Sequence, residues 1–246
     1  MYQTLIKPAF IDVKNFILDT LFPVSCLSCG EEGAFVCAIC KASLVKLEHQ
    51  RCIACQKPTP FGLTHQLCQT AYGADALISF YDYHDEKVAK IIIQGKYSFL
   101  PGAYKLLGKI IAEKIKTDHG HLLTTTPYTL TPIPLHSSRK RWRGFNQAEV
   151  LCRSLSEQLN LPMAALLIRR KITKTQKDLK RDQRIKNVDS AFVLSPAFLN
   201  LKSQILNHNF ILVDDVTTTG ATLREAAKIL KRGGAKKVIC LTIARD

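Results

Sequence analysis

From about residue 73 onward, short apolar runs alternate with amphipathic stretches, a rhythm that predicts strands and helices in turn. Ala76 to Tyr83 (ALISFYDY) reads as a strand, and Glu86 to Ile93 as a helix that ends at Gly95. Leu107, Ile110, Ile111 and Ile115 fall on one helical face, which predicts a second helix over Leu106 to Ile115. Further strands are expected at Thr129 to Leu135, where Pro132 and Pro134 interrupt the pattern, weakly near Leu166, and at Ala191 to Leu194. Two more fall at Phe210 to Val213 and at Val238 to Ile243. Helices are expected at Asn146 to Leu159 and at Ala221 to Arg232, the latter stopped by Gly233 and Gly234. Strands alternating with helices argue for an α/β fold with a mostly parallel sheet covered on both faces.

Residues 1–72 do not share this rhythm. Leu5 to Phe22 is apolar in places but broken by Lys7, Asp12, Lys14 and Asp19, so it reads as an amphipathic helix and not a signal peptide. No run of about eighteen uncharged apolar residues occurs, so no membrane insertion is expected and the default location is cytoplasmic. After this stretch come seven of the nine cysteines. Cys26 and Cys29, Cys37 and Cys40, and Cys52 and Cys55 form three CxxC pairs, and His65 with Cys68 repeats the spacing. Two intervening residues let a tight knuckle aim both ligands at one ion, so the segment reads as two tetrahedral zinc sites. One would have four thiolates, the other three thiolates and an imidazole. An interleaved pairing satisfies the spacing as well, and His65 also reads as a surface histidine beside a free Cys68, which would leave one zinc. Disulfides are the rival, but without an export signal reduced thiols are expected. Cys152 and Cys240 sit in apolar surroundings and read as core. The chain thus divides into residues 1–72, an N-terminal helix with a small zinc-ribbon domain, and residues 73–246, the α/β domain.

Candidate chemistry in the second part begins with FILVDDVTTTGAT, residues Phe210 to Thr222. Phe210 to Val213 is a buried strand by pattern, and Asp214 and Asp215 stand where it should end, the place where open α/β sheets gather ligands. Two carboxylates accept hydrogen bonds from a ribose diol and suit a nearby divalent cation such as Mg²⁺. Thr217, Thr218, Thr219, Gly220, Ala221 and Thr222 then offer N–H groups and hydroxyls at a helix N-terminus, where phosphate is favoured. The plain alternative is a buried strand, a helix capped by Thr219 and two solvated aspartates.

Two basic stretches accompany it. HSSRKRWRGFNQA packs Arg139, Lys140, Arg141 and Arg143 into five positions after a strand, where guanidinium groups suit phosphate oxygens. Trp142 and Phe145 interleave with them, as stacked bases of single-stranded nucleic acid would require, although Phe145 fits better as a core anchor for the next helix. Arg169 to Lys186 carries nine basic residues, among them Arg169 and Lys171, against Asp178 and Asp182. It reads as an arm over the sugar site, a strip tracking a phosphate backbone, or a solvated linker. A net charge of +15 favours a polyanionic partner over a basic surface that serves solubility alone or the phosphates of a small ligand.

These motifs carry a resemblance. VDDVTTTGAT is similar to the phosphoribosyl pyrophosphate (PRPP) motif of type I phosphoribosyltransferases, which implies that Asp214 and Asp215 hold the ribose hydroxyls and Thr217 to Thr222 the 5′-phosphate. With the cysteine pairs after LFPVSCLSCG and the stretch TPIPLHSSRKRWRGFNQA, nearly the whole chain resembles the ComF family of competence proteins (ComFC, GntX-like). The family implies a double zinc ribbon on a phosphoribosyltransferase-like domain that handles incoming single-stranded DNA in natural transformation alongside other DNA-uptake proteins. His65 departs from it, standing where a cysteine is usual. Two expectations survive: a DNA-uptake factor with a PRPP pocket, or a working phosphoribosyltransferase with an unknown acceptor and no identified catalytic residue.

Overall fold

A computed structural model of the chain describes residues 23–120, 127–171, 190–196 and 206–246. The helix expected at Leu5 to Phe22 and most of the basic segment Arg169 to Lys186 lie outside these residues. In chain order the elements are α1 (Ala38–Ser43), β1 (Ala76–Asp82), α2 (Glu86–Tyr97), α3 (Pro101–Asp118), β2 (Tyr128–Pro132), α4 (Ser137–Arg143) and α5 (Gln147–Leu159). They continue with β3 (Leu167–Arg169), β4 (Phe192–Leu194), β5 (Asn209–Thr217), α6 (Ala221–Arg232) and β6 (Lys237–Arg245).

Four strands form an all-parallel sheet in the order β1-β6-β5-β2. The uninterrupted apolar run of β5 follows from its central place, because both faces are covered. Ile211 and Val213 face a layer that includes Ile91, Tyr104, Ile111 and Leu151 of α2, α3 and α5. Phe210 and Leu212 face a second layer with Leu223, Ala227 and Leu230 of α6 and Phe192 of β4. Cys152 and Cys240 are fully buried in these two layers. The short β3 and β4 pair antiparallel beside the main sheet.

Three expectations shift. The strand at Thr129 to Leu135 ends at Pro132, its last residue in register with β5, opposite Val213. Residues Ser137 to Arg143, for which the pattern predicts no element, form a helix capped by the His136 ring and stopped at Gly144, whose φ of 75° continues in no α-helix. Most consequentially, Asp214 and Asp215 do not end their strand. β5 continues to Thr217 because its pairing with β6 extends to Thr217 opposite Arg245 after β2 has stopped. The acids therefore sit on a strand freed on one side only, held rigidly by the other.

Candidate functional site

That one-sided strand end forms the floor of a cleft of ≈ 480 Å³. The turn 218–220 leads into α6, and Ala221 N–H bonds the Thr219 hydroxyl oxygen at 3.4 Å. All of Thr217, Thr218, Thr219, Gly220, Ala221 and Thr222 line the cleft, with both aspartates. Gly220 is essential to the turn: its φ is +72°, and a Cβ there would lie 2.9 Å from Ile53 Cγ1. Gly220→Ala is expected to lower the unfolding free energy by about 1–3 kcal/mol, read from urea denaturation, and to weaken phosphate binding with it.

The two aspartates are not equivalent. Successive strand residues point to opposite faces, and Asp215 lies 2.6 Å from Lys96 Nζ and 3.3 Å from the Tyr104 hydroxyl. Burial alone would raise the Asp215 carboxyl, but the Lys96 ammonium, with help from Arg143, holds it below the usual carboxylate range. Asp215 is thus already partnered. Among the described residues Asp214 has no such close cation: burial and the neighbouring Asp215 charge push it up to about 7, against the weaker pull of the Asp215 N–H, Lys96 and Arg169. Its carboxyl is the one poised to gain from a diol or a cation.

Of the basic residues singled out above, Arg139, Arg143 and Arg169 line the cleft. Arg143 and Arg169 are buried, their guanidinium groups lying over the rings of Tyr97 and Phe192 at 5.6 and 5.4 Å. Lys140, Arg141 and Lys171 are exposed outside the lining, Lys140 being paired with Glu149 at 3.1 Å. Phe145 packs edge-on against Tyr104 in the core, as its spacing indicated. Sequence reasoning missed Lys96, Tyr97 and Tyr104. Lys96 and Tyr97 close an ordinary amphipathic helix, and only the folded arrangement brings them to β5. Gly95 offered the one local hint, since a Cβ there would come 3.2 Å from the Tyr104 ring.

The cysteine pairs assemble in chain order, not interleaved. Cys26, Cys29, Cys37 and Cys40 form one cluster, and Cys52, Cys55, His65 and Cys68 the other, with the ligand atoms of each within 4.8 Å of one another. Two thiolates at about 2.3 Å from one tetrahedral ion stand about 3.8 Å apart, and Cys29 Sγ and Cys37 Sγ are separated by 3.7 Å. His65 is oriented as a ligand: Nε2 lies 3.1 Å from Pro58 O, to which it donates, leaving the Nδ1 lone pair facing Cys55 Sγ at 3.2 Å. Both sets fit zinc, which would tie the knuckles together.

The second knuckle also touches the phosphate turn. Gly30 closes the first knuckle at φ +86°, whereas the corresponding place in the second is taken by Gln56 at φ 65°. Gln56 Nε2 donates to Thr219 O at 3.3 Å and to Ile53 O at 3.0 Å, and its Oε1 accepts from Arg245. Arg245 also donates to Arg51 O at 2.7 Å.

Comparison with known proteins agrees with this two-part construction. A family model described as "Double zinc ribbon domain" matches residues 17–71, and one described as "Phosphoribosyl transferase domain" matches residues 146–246. The chain is similar to Competence protein F of Haemophilus influenzae, 36% identical over 120 residues, which span 48% of this chain and 51% of that protein. Similarity is longer to Competence protein ComFC of Bacillus subtilis, 29% identical over 226 residues (86% of this chain, 84% of that protein). DNA utilization protein YhgH of Escherichia coli K12 is 27% identical over 230 residues, 88% of this chain and 94% of that protein. By these likenesses the chain is a homologue of Competence protein F, ComFC and YhgH, and joins a double zinc ribbon domain to a phosphoribosyl transferase domain.

Proposed function

We propose that the chain binds PRPP with Mg²⁺ in this cleft and acts in DNA uptake for natural transformation, handling incoming single-stranded DNA. The observation that carries the reading is the meeting, in one cleft, of a carboxyl held near neutrality, a phosphate-suited turn and three arginines. In it, turn 217–222 receives the 5′-phosphate, Asp214 the ribose hydroxyls, and Arg139, Arg143 and Arg169 the pyrophosphate. Mg²⁺ arrives with the pyrophosphate and finds in Asp214 a further oxygen donor. Exposed Lys140, Arg141 and Lys171 serve the nucleic acid backbone. The names of the relatives support the DNA-uptake role, and the +15 charge exceeds what one small anion needs. Division into residues 1–72 and 73–246, a cytoplasmic location and other DNA-uptake proteins as partners belong to the same reading. Among the described residues no helix is long and apolar enough to cross a membrane.

Single-stranded DNA affinity should fall steeply and linearly in log–log salt titration, as counterion release requires. Neutralising Lys140, Arg141 and Lys171 together should flatten that slope by about two; an unchanged slope would remove them from the DNA surface. PRPP affinity should depend on pH with a definite sign. The ligand favours the Asp214 carboxylate, so binding strengthens as pH rises through about 7 and levels off above it. Asp214→Asn should bind weakly at every pH, and calorimetric titration across the range checks both statements.

The charge-stabilising cleft favours one second reading, transfer of the phosphoribosyl group. An acceptor nitrogen would attack the anomeric carbon as its bond to pyrophosphate oxygen breaks, the arginines and Mg²⁺ taking the departing charge. Pyrophosphate release from PRPP across a panel of bases and amines would establish it.

A further inference from the structure

At the mouth of the cleft stands a group of exposed aromatic rings. Trp142, in the last turn of α4, meets Tyr97 at 6.3 Å and Phe99 at 5.7 Å between ring centroids, both edge-on at 65°. Tyr97 ends α2 and Phe99 lies in the turn before α3, so residues some forty positions apart in sequence converge on one spot. The three rings are 44%, 49% and 61% exposed for Tyr97, Phe99 and Trp142, although large aromatics normally bury. Phe99 is held at φ 56°, a backbone region where a bulky side chain is strained and glycine is usual.

What would cover it follows from the surroundings. The Arg143 guanidinium lies 5.8 Å from the Trp142 ring centroid and 5.6 Å from that of Tyr97, with the rest of its surface turned to the cleft. Lys140 and Arg141 extend from the same short helix into solvent. Apolar flat rings set among cations suit a ligand with planar faces and a polyanionic backbone, which is single-stranded nucleic acid. A protein partner would leave the cations facing little of opposite charge; a lone nucleotide would engage the cleft without requiring the outer lysine and arginine.

We infer that Tyr97, Phe99 and Trp142 form a base-stacking platform for single-stranded nucleic acid at the entrance of the sugar-phosphate cleft, sharing Arg143 with it. The inference rests on the DNA-handling reading above and adds where the bases sit. It also places the strand and the small phosphorylated ligand in contact with one guanidinium, so occupancy of either is felt by the other.

The chain contains a single tryptophan, so Trp142 reports on its own surface. Intrinsic fluorescence and the anisotropy of a labelled strand are followed with the full chain, comparing oligothymidylate with an abasic deoxyribose-phosphate strand of equal length and charge. The expected result is quenching of Trp142 by oligothymidylate only, with the abasic strand binding at least about ten-fold more weakly. Trp142→Ala should lose a comparable factor for oligothymidylate, Trp142→Phe should restore most of it, and neither should change abasic-strand affinity. Equal affinity for the two strands overturns the platform while leaving the DNA-handling reading intact. Absence of binding by either strand overturns both. Free thymidylate that quenches Trp142 as strongly as the strand, at equal affinity, overturns the strand as occupant and points to a small planar ligand.

Discussion

Replacing Asp215 with alanine is expected to lower the unfolding free energy by about 2–4 kcal/mol, whereas Asp214→Ala should leave stability unchanged or slightly raised. Adjacent residues of one motif thus have separable effects. Asp215 is 8% exposed and holds the Lys96 ammonium at 2.6 Å. Burial alone would depress Lys96, and Asp215 overrides it, keeping the ammonium charged above its ordinary range. Removing the carboxylate strands a mostly buried cation, while the Tyr104 hydroxyl keeps the Ile92 carbonyl at 3.1 Å; the loss is somewhat below that of a fully enclosed pair because Lys96 retains some access to water. Deleting Asp214 instead relieves the repulsion between the two carboxyls. Its loss should appear in binding, where removed charge-assisted hydrogen bonds weaken PRPP affinity by about 2–5 kcal/mol. Urea denaturation and calorimetric titration of both single variants separate these effects. A double variant confounds them.

Stripping metal from the second ribbon site is expected to weaken phosphate binding as well as to unfold the ribbon. Structural zinc supplies much of the folding energy of such knuckles, and here the knuckle is built into the phosphate turn. Ile53, 2% exposed, packs in the same core layer as Leu212 and Leu223. Gln56, held at positive φ, binds the Thr219 carbonyl and receives Arg245. Glycine at that place would relieve the backbone and lose both bridges, so the strained glutamine reads as a link between the ribbon and the cleft. Metal analysis should find about two zinc ions per chain, and chelation should reduce PRPP affinity by at least about ten-fold. Gln56→Gly should weaken PRPP binding while keeping both metals. Full PRPP affinity after complete metal loss would sever the link.

Much of this was legible in the sequence because the informative signals are local. A buried parallel strand announces itself by an unbroken apolar run, as Phe210 to Val213 does, and metal knuckles by ligand spacing. The convergence of Thr217 to Thr222 on one cleft follows from strand, turn and helix succeeding one another without interruption. What was not legible depends on contacts between distant segments. Nothing near Lys96 indicates that α2 ends against Asp215, so the two aspartates looked alike. The strand's extension past the acids depends on β6 reaching farther than β2, a property of pairing and not of composition. Gln56 gave no signal either, since its role exists only where the ribbon meets the turn.

The account stands or falls on what the cleft holds. A crystal soaked with PRPP and Mg²⁺ tests this most directly. The account predicts the 5′-phosphate against the backbone of residues 217–222, the ribose diol over the Asp214 carboxylate, and Lys96 still paired with Asp215. Ligand bound elsewhere, or a turn whose N–H groups remain turned away from the phosphate at saturating concentration, would contradict it.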